Sequence, residues 1–355
     1  MASPIQNYAF INAKLRARIS KFLSPEFLAQ MGRSQSLPEA IELLKGGPYD
    51  PIVSTYNQTG DLKMSELALL RMEIALLRDL ERQVRVRIRD LIVALEMNYD
   101  IGSLKNSLRL WFDKTVRRRD ITDSIGYQLR DTVCYDLQVD RILAAAGVEE
   151  VVQILKKTPY AAVIASKADE LKAEQSLFPI EVALDQLYYR QLVQAIDRLD
   201  RTDAAIAHRI VGVEIDLLNV TWITRFKHFY NLPLERTMRL VIPHGRSIRR
   251  VTIETAYSSP DPEGAVATLV SAQHPALQTL LAGREKYGTG RVILIEQILE
   301  EVLEAEVRKC LAGYPFTVGI ILAYFVLRRQ EMRKVMTILN AKSYGISEER
   351  MARRP

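Results

Sequence analysis

The sequence predicts an all-α protein made of three pseudo-symmetric helical repeats, and three observations predict it. Only 16 glycines and 14 prolines occur among 355 residues, so few positions force a turn or end a helix. Apolar residues recur at intervals of three and four, the period of a helix with one buried face, and strand-like alternation is scarce. The third observation is internal repetition, at a spacing of roughly 110 residues.

The helical pattern can be followed along the chain. From Leu62 to Leu95 it places Leu67, Leu70, Ile74, Leu77, Val84, Ile88, Leu91 and Leu95 at helical intervals, with Glu81 four residues before Arg85 as a supporting pair. At about 1.5 Å per residue this reads as one helix on the order of 50 Å long. Similar patterns fill Pro179 to Arg209 and Val292 to Leu311. Met238 to Glu254 differs: its β-branched residues around Pro243 and Gly245 could form a short hairpin, although helix and irregular loop suit the segment better. The longest apolar stretch, Tyr314 to Leu327, falls short of the roughly 20 residues that cross a hydrocarbon core. It is expected to be a buried core helix, with a membrane-lying segment as the alternative.

The repetition has three elements in one order. SLPEAIELLKGGPY (Ser36 to Tyr49) aligns without a gap on GVEEVVQILKKTPY (Gly147 to Tyr160), 111 residues later, and DPEGAVATLVSAQHP (Asp261 to Pro275) is a looser third copy. Upstream, Asn12 precedes Arg18, Ser103 precedes Arg109 and Asn219 precedes Arg225, each by six residues, while Asp100 and Asp216 sit three residues before their Ser or Asn. Downstream, a Glu stands three residues before a Leu: Glu73 with Leu76, Glu181 with Leu184, Glu296 with Leu299. One unit of a few helices cannot bury its apolar face alone, whereas three packed around an axis close a common core. The repeats are drawn at 1–98, 99–209 and 210–355, the last with the C-terminal helices, in a single compact body. The Pro-Tyr segments are expected to end helices, because Pro cannot donate the next backbone bond. The Asp, Asn and Arg positions suit capping and satisfaction of core polar groups. A sharper alternative has the Asp of one repeat pair with an Arg of its neighbour across the seam.

Charge and cysteine content narrow the function classes. Lys and Arg number 49 against 43 Asp and Glu, a net charge of +6 from many charges of both signs, too even to point to nucleic acid. Basic runs such as Arg117 to Arg119 and Arg328 with Arg329 are spread along the chain and read as solvated faces. Cys134 and Cys310 lie far apart with no CxxC spacing, which suits free thiols in a reducing compartment. No export signal is visible at the N-terminus, an expectation of a cytoplasm-facing position.

Catalytic chemistry finds no foothold. No GxxxxGK[ST] occurs, and the glycine segment Gly283 to Arg291 reads as a flexible loop. His208, His228, His244 and His274 are single and widely spaced, with no paired-ligand interval for a metal. There is no GxSxG elbow, and neither cysteine lies in a catalytic signature. The chain is therefore expected to be no enzyme, with no catalytic, cofactor or metal residues.

Several segments together carry a family resemblance: YAFINAKLRAR near the N-terminus, YDIGSLKNSLR, the ALDQLYY stretch at Ala183 to Tyr189, VEIDLLNVTWITRFK, and the C-terminal PFTVGIILAYFVLRRQEMRKVMTILNAKSYGISEERM. In this order and spacing the chain resembles the central-stalk C subunit of A-type and V-type rotary ATPases, called the d subunit in the eukaryotic V-type enzyme. The resemblance implies a funnel-shaped rotor part of three similar lobes. Its expected partners are the proteolipid ring of the membrane sector on one face, and the coiled-coil shaft with its small companion subunit on the other. It implies no catalytic residue and no cofactor, and a peripheral place on the cytoplasmic face. Ala9 stands where the other repeats have Asp, Ser103 replaces Asn, and the third Pro-Tyr segment is displaced. The alternative is a helical-repeat interaction scaffold unrelated to a rotary motor.

Overall fold

Helices begin where side chains can satisfy the first free amides of a helical turn. The computed structural model describes residues 4–228, 230–259 and 291–346, the side chains of 224, 228, 256 and 291–298 excepted. Among these residues every regular element is an α-helix. The first is α1 (Pro4–Ile19), followed by α2 (Pro25–Arg33), capped by Ser24 with Pro25 in its first turn. In α3 (Leu37–Glu42) Ser36 accepts the Glu39 amide, while Glu39 reaches back to the amide of Gln35. Next come α4 (Asp50–Thr59) and α5 (Leu62–Glu81), whose N-cap Asp61 accepts the Lys63 and Met64 amides.

The long α6 (Val86–Thr115) leads into the short helices α7 (Thr122–Ile125), α8 (Val139–Ala144), α9 (Val148–Ile154), α10 (Tyr160–Ser166) and α11 (Ala168–Glu174). Then follow α12 (Phe178–Asp197), α13 (Arg201–His228), α14 (Leu234–Leu240) and α15 (Arg250–Ser258). The last two are α16 (Arg291–Ala312) and α17 (Gly319–Ser343).

Within the described residues the chain divides into two compact units, one of 4–16 with 199–329 and the other of 17–198 with 330–346. In the second, Met31, Ile41, Tyr49, Ile52 and Leu69 pack in one core with Val335, Met336 and Leu339 of α17. In the same unit α6 packs against both α12 and α8. In the first, α13 lies along α16, burying Ile210, Val211 and Ile215 on one helix and Leu299, Leu303 and Val307 on the other.

The all-helical expectation holds among the described residues, and Tyr314 to Leu327 supplies a buried helical run, with Ile320 through Val326 each at most 4% exposed. Met238 to Glu254 forms no hairpin: α14 ends at Leu240, the stretch to Arg249 is irregular, and α15 follows. Arg328, in a basic run read as a solvated face, is 4% exposed and lies in the interior. Three further readings need correction.

Leu62 to Leu95 is two helices, because Arg85 is extended (φ −76°, ψ 161°) and breaks the rod between α5 and α6. The bridge at this junction is not Glu81 with Arg85 but Arg89, whose Nε donates to the Glu81 carbonyl at 3.3 Å. Pro179 to Arg209 is likewise split at Arg198 to Asp200, where the Asp200 carboxylate accepts the amides of Thr202 and Asp203 and starts α13. Apolar period alone cannot see such breaks, since both helices bury the same kind of residue on either side. Finally, the Pro-Tyr segments begin helices rather than end them. Tyr49 is the N-cap of α4 and Pro159 that of α10, positions where the amide missing from proline costs nothing. The third copy, Asp261 to Pro275, lies outside the described residues.

Candidate functional site

The chemistry-bearing groups that the fold gathers are buried carboxylates, which need donors on arrival because desolvation penalises their charge. Asp100, 1% exposed on α6, accepts the backbone amides of Cys134 at 3.2 Å and Tyr135 at 2.9 Å, and the Tyr160 hydroxyl at 3.1 Å. One turn on, Ser103 donates to the Leu129 carbonyl at 3.0 Å. Asp216, 0% exposed on α13, accepts the amides of Ser247 at 2.6 Å and Ile248 at 2.9 Å. One turn on, Asn219 both donates to the Ile242 carbonyl at 2.8 Å and accepts its amide at 2.9 Å. Each helix therefore pins a loop to its buried face with an acid at one position and a hydroxyl or amide three residues later. Gly245 is required in the second loop, since a Cβ there would collide with the Asp216 carboxylate.

Burial sets the protonation of these groups. It pushes both Asp100 and Asp216 up to about 6, against the pull of the amide hydrogen bonds. Glu96, one turn before Asp100, is raised to about 7 by burial first, and then by the negative charge of Glu81, with Arg78 opposing. Its Oε1 makes no hydrogen bond among the described residues. The Cys134 thiol is pushed well above its ordinary value by the same burial and by Asp100 and Glu96 beside it, which disfavours its thiolate.

The sequence-flagged residues divide accordingly. Asp100 and Asp216 take backbone amides, where the sequence offered core polar satisfaction and, as the alternative, an Asp–Arg pairing across a seam. Arg109 instead pairs with Glu181 at 2.6 Å, joining two flagged positions on α6 and α12. With Arg109 more than half exposed the pair adds little stability. Arg18 and Arg225 are exposed, and Asn12 accepts from Arg16 at 3.0 Å within α1. Glu73 is buried, as are Leu76, Leu184 and Leu299, while the Glu296 side chain lies outside the described residues.

Other buried acids carried no repeat signal. Asp203 accepts the Tyr8 hydroxyl and, at 2.9 Å, the Val318 amide. Glu331 accepts the Leu23 amide at 2.5 Å and the Tyr49 hydroxyl at 2.8 Å. The alignment of Tyr49 with Tyr160 is the one clue that could have found Glu331, because a fully buried phenol needs an acceptor. Among the described residues no group of three His, Cys, Asp or Glu is placed to hold a metal ion, and no helix is long and apolar enough to cross a membrane.

Asp100, Asp216, Asp203 and Glu331 each hold one stretch of chain to another through backbone amides. In comparison with known proteins, residues 11–354 match the model of the ATP synthase (C/AC39) subunit family. The chain belongs to that family. Relatives include the A-type ATP synthase C subunit of Methanothermobacter thermautotrophicus, 25% identical over 94% of this chain and 84% of its own length. That of Pyrococcus abyssi is 23% identical over 97% and 89%. That of Methanosarcina mazei is 25% identical over 97% and 91%. Identity this low leaves the C/AC39 family membership resting on pattern across the whole chain rather than on any local motif.

Proposed function

We propose that this chain is a non-catalytic central-stalk rotor subunit of an A-type or V-type rotary ATPase, built from three helical repeats, that couples the rotating shaft to the membrane proteolipid ring. The observation that carries this reading is the family match over 11–354. Its partners are the ring on one side and the coiled-coil shaft with its small companion subunit on the other, at the cytoplasmic face and peripheral to the lipid. Rotation driven by ATP or by ion flow passes through it.

The physical requirements of that role fit the molecule. An adaptor under torque must be stiff, and close-packed helices of 20 to 30 residues such as α5, α6, α12 and α13 resist bending. Loops pinned by buried acids, rather than left free, keep the short connecting helices from shearing. Asp100 and Asp216 are filled by backbone donors, an arrangement suited to a part that transmits force.

Copurification tests the proposal. Tagged full-length chain expressed in its own cells and extracted with native membranes should recover proteolipid ring and shaft subunits together. Recovery of soluble partners alone would favour an interaction scaffold unrelated to a rotary motor.

A further inference from the structure

Three long helices each hold another segment through a buried acid that accepts a backbone amide and, eleven residues on, a side chain that donates to a backbone carbonyl. On α6, Asp100 holds Cys134 and Tyr135, and eleven residues on the Trp111 indole donates to the Ala145 carbonyl at 2.9 Å. On α13, Asp216 holds Ser247 and Ile248, and eleven residues on Lys227 donates to the carbonyls of Tyr257 and Ser259. On α17, Glu331 holds Leu23, and eleven residues on Lys342 donates to the Ser34 carbonyl at 2.6 Å. The residue four after each acid, Leu104, Val220 and Val335, is 0% exposed.

The receiving segments keep register as well. Leu23, Ser34 and Tyr49 lie 111 residues before Cys134, Ala145 and Tyr160, and both tyrosines give their hydroxyl to the acid of the helix that holds them. Yet the acids run the other way: Asp100 stands before its segment in the chain, and Glu331 stands some 300 residues after its own. The helix that sequence order offers for this place, α1, carries Ala9 where the acid is needed. Residues 4–16 of α1 belong to the other compact unit, tied there by Tyr8 to Asp203 and by Arg16 to the Leu311 carbonyl at 2.6 Å.

We propose that the last helix, α17, is the long helix of the first repeat, so that the repeats are permuted around the chain ends and the C-terminal helix acts as a clasp on residues 23–56. Glu331 takes the place of Asp100 and Asp216, and Lys342 that of Trp111 and Lys227. The repeats then run as α17 with 17–81, α6 with 116–197, and α13 with 230–259 and α16. A chain of three repeats in simple series would leave two ends free to fray. Here the last helix completes the first repeat, a device by which that repeat stays folded only while the C-terminal helix is seated. The proposal deepens the three-repeat reading and does not depend on the stalk role.

Hydrogen exchange on the full-length chain tests it, with Glu331→Gln compared against Asp100→Asn. Glu331→Gln should speed exchange about tenfold across 23–56 and leave 116–174 unchanged, while Asp100→Asn should do the reverse. Should Glu331→Gln fail to fold, Tyr49→Phe removes a single bond of the clasp and should loosen the same segment. Unchanged exchange across 23–56 in both variants, loss confined to α17 itself, or equal loosening of both segments would overturn the clasp. Failure of the wild-type chain to recover ring or shaft subunits, with these exchange patterns intact, would count against the stalk role alone.

Discussion

Replacing Asp216 by Asn asks whether burial or hydrogen bonding governs the carboxylates that pin the loops. Both oxygens of Asp216 are in use, one facing the Ser247 amide at 2.6 Å and the other the Ile248 amide at 2.9 Å, at a residue with no exposed surface. An Asn of the same shape must point its NH2 at one of those donors, leaving a buried amide unpaired at a cost of about 1–3 kcal/mol. The opposing effect is charge. Burial lifts the folded carboxyl from its ordinary 3.8 to about 6, so the folded state keeps a proton that the unfolded chain releases between those values. Stability from this group is therefore fully present below pH 3.8 and is lost as pH rises through 6, by at most about 3 kcal/mol at 1.4 kcal/mol per pH unit. Asn has no such slope. Urea unfolding followed by circular dichroism at pH 4, 5, 6 and 7 should show Asp216→Asn most destabilised relative to wild type at pH 4, the gap narrowing by about 1–3 kcal/mol toward pH 7. Parallel pH profiles would refute the reasoning. A gap that widens with pH would show that the amide hydrogen bonds outweigh desolvation.

Two further perturbations read other parts of the fold. Glu96→Gln removes a carboxyl raised from 4.5 to about 7, so the wild type should lose stability between those pH values and the variant should not. Unfolding free energies from urea titrations at pH 5 and pH 8 should shift in favour of the variant at the higher pH by about 1–3 kcal/mol, and equal differences at both pH values would contradict the burial of an ionisable Glu96. Ile321→Asp places a charge at a position 1% exposed, which should cost several kcal/mol and abolish the helical circular-dichroism signal at room temperature. A folded variant that had merely lost membrane association would instead make this segment an interfacial one.

Helix content was legible in the sequence because its cause is local. Three-and-four spacing, few glycines and prolines, and caps such as Ser24, Ser36 and Asp61 are all visible within a few residues. The alignment of Tyr49 with Tyr160 was legible for the same reason, as were the polar positions Asp100, Ser103, Asp216 and Asn219 on shared helix faces. Helix ends were less so. The breaks at Arg85 and Asp200 sit inside unbroken apolar patterns, and an acid that caps reads no differently from one that faces water.

The sequence by itself determined that this is an all-helical chain of the C/AC39 family with recurring segments. Only the tertiary structure decided what those segments hold. Asp100 and Asp216 spend their charge on backbone amides 31 to 35 residues away, bonds that no side-chain pattern encodes because every residue but proline offers the same N–H. Glu331 meets Leu23 and Tyr49 across roughly 300 residues of chain, a partnership fixed by how the helices pack and not by any interval in the sequence.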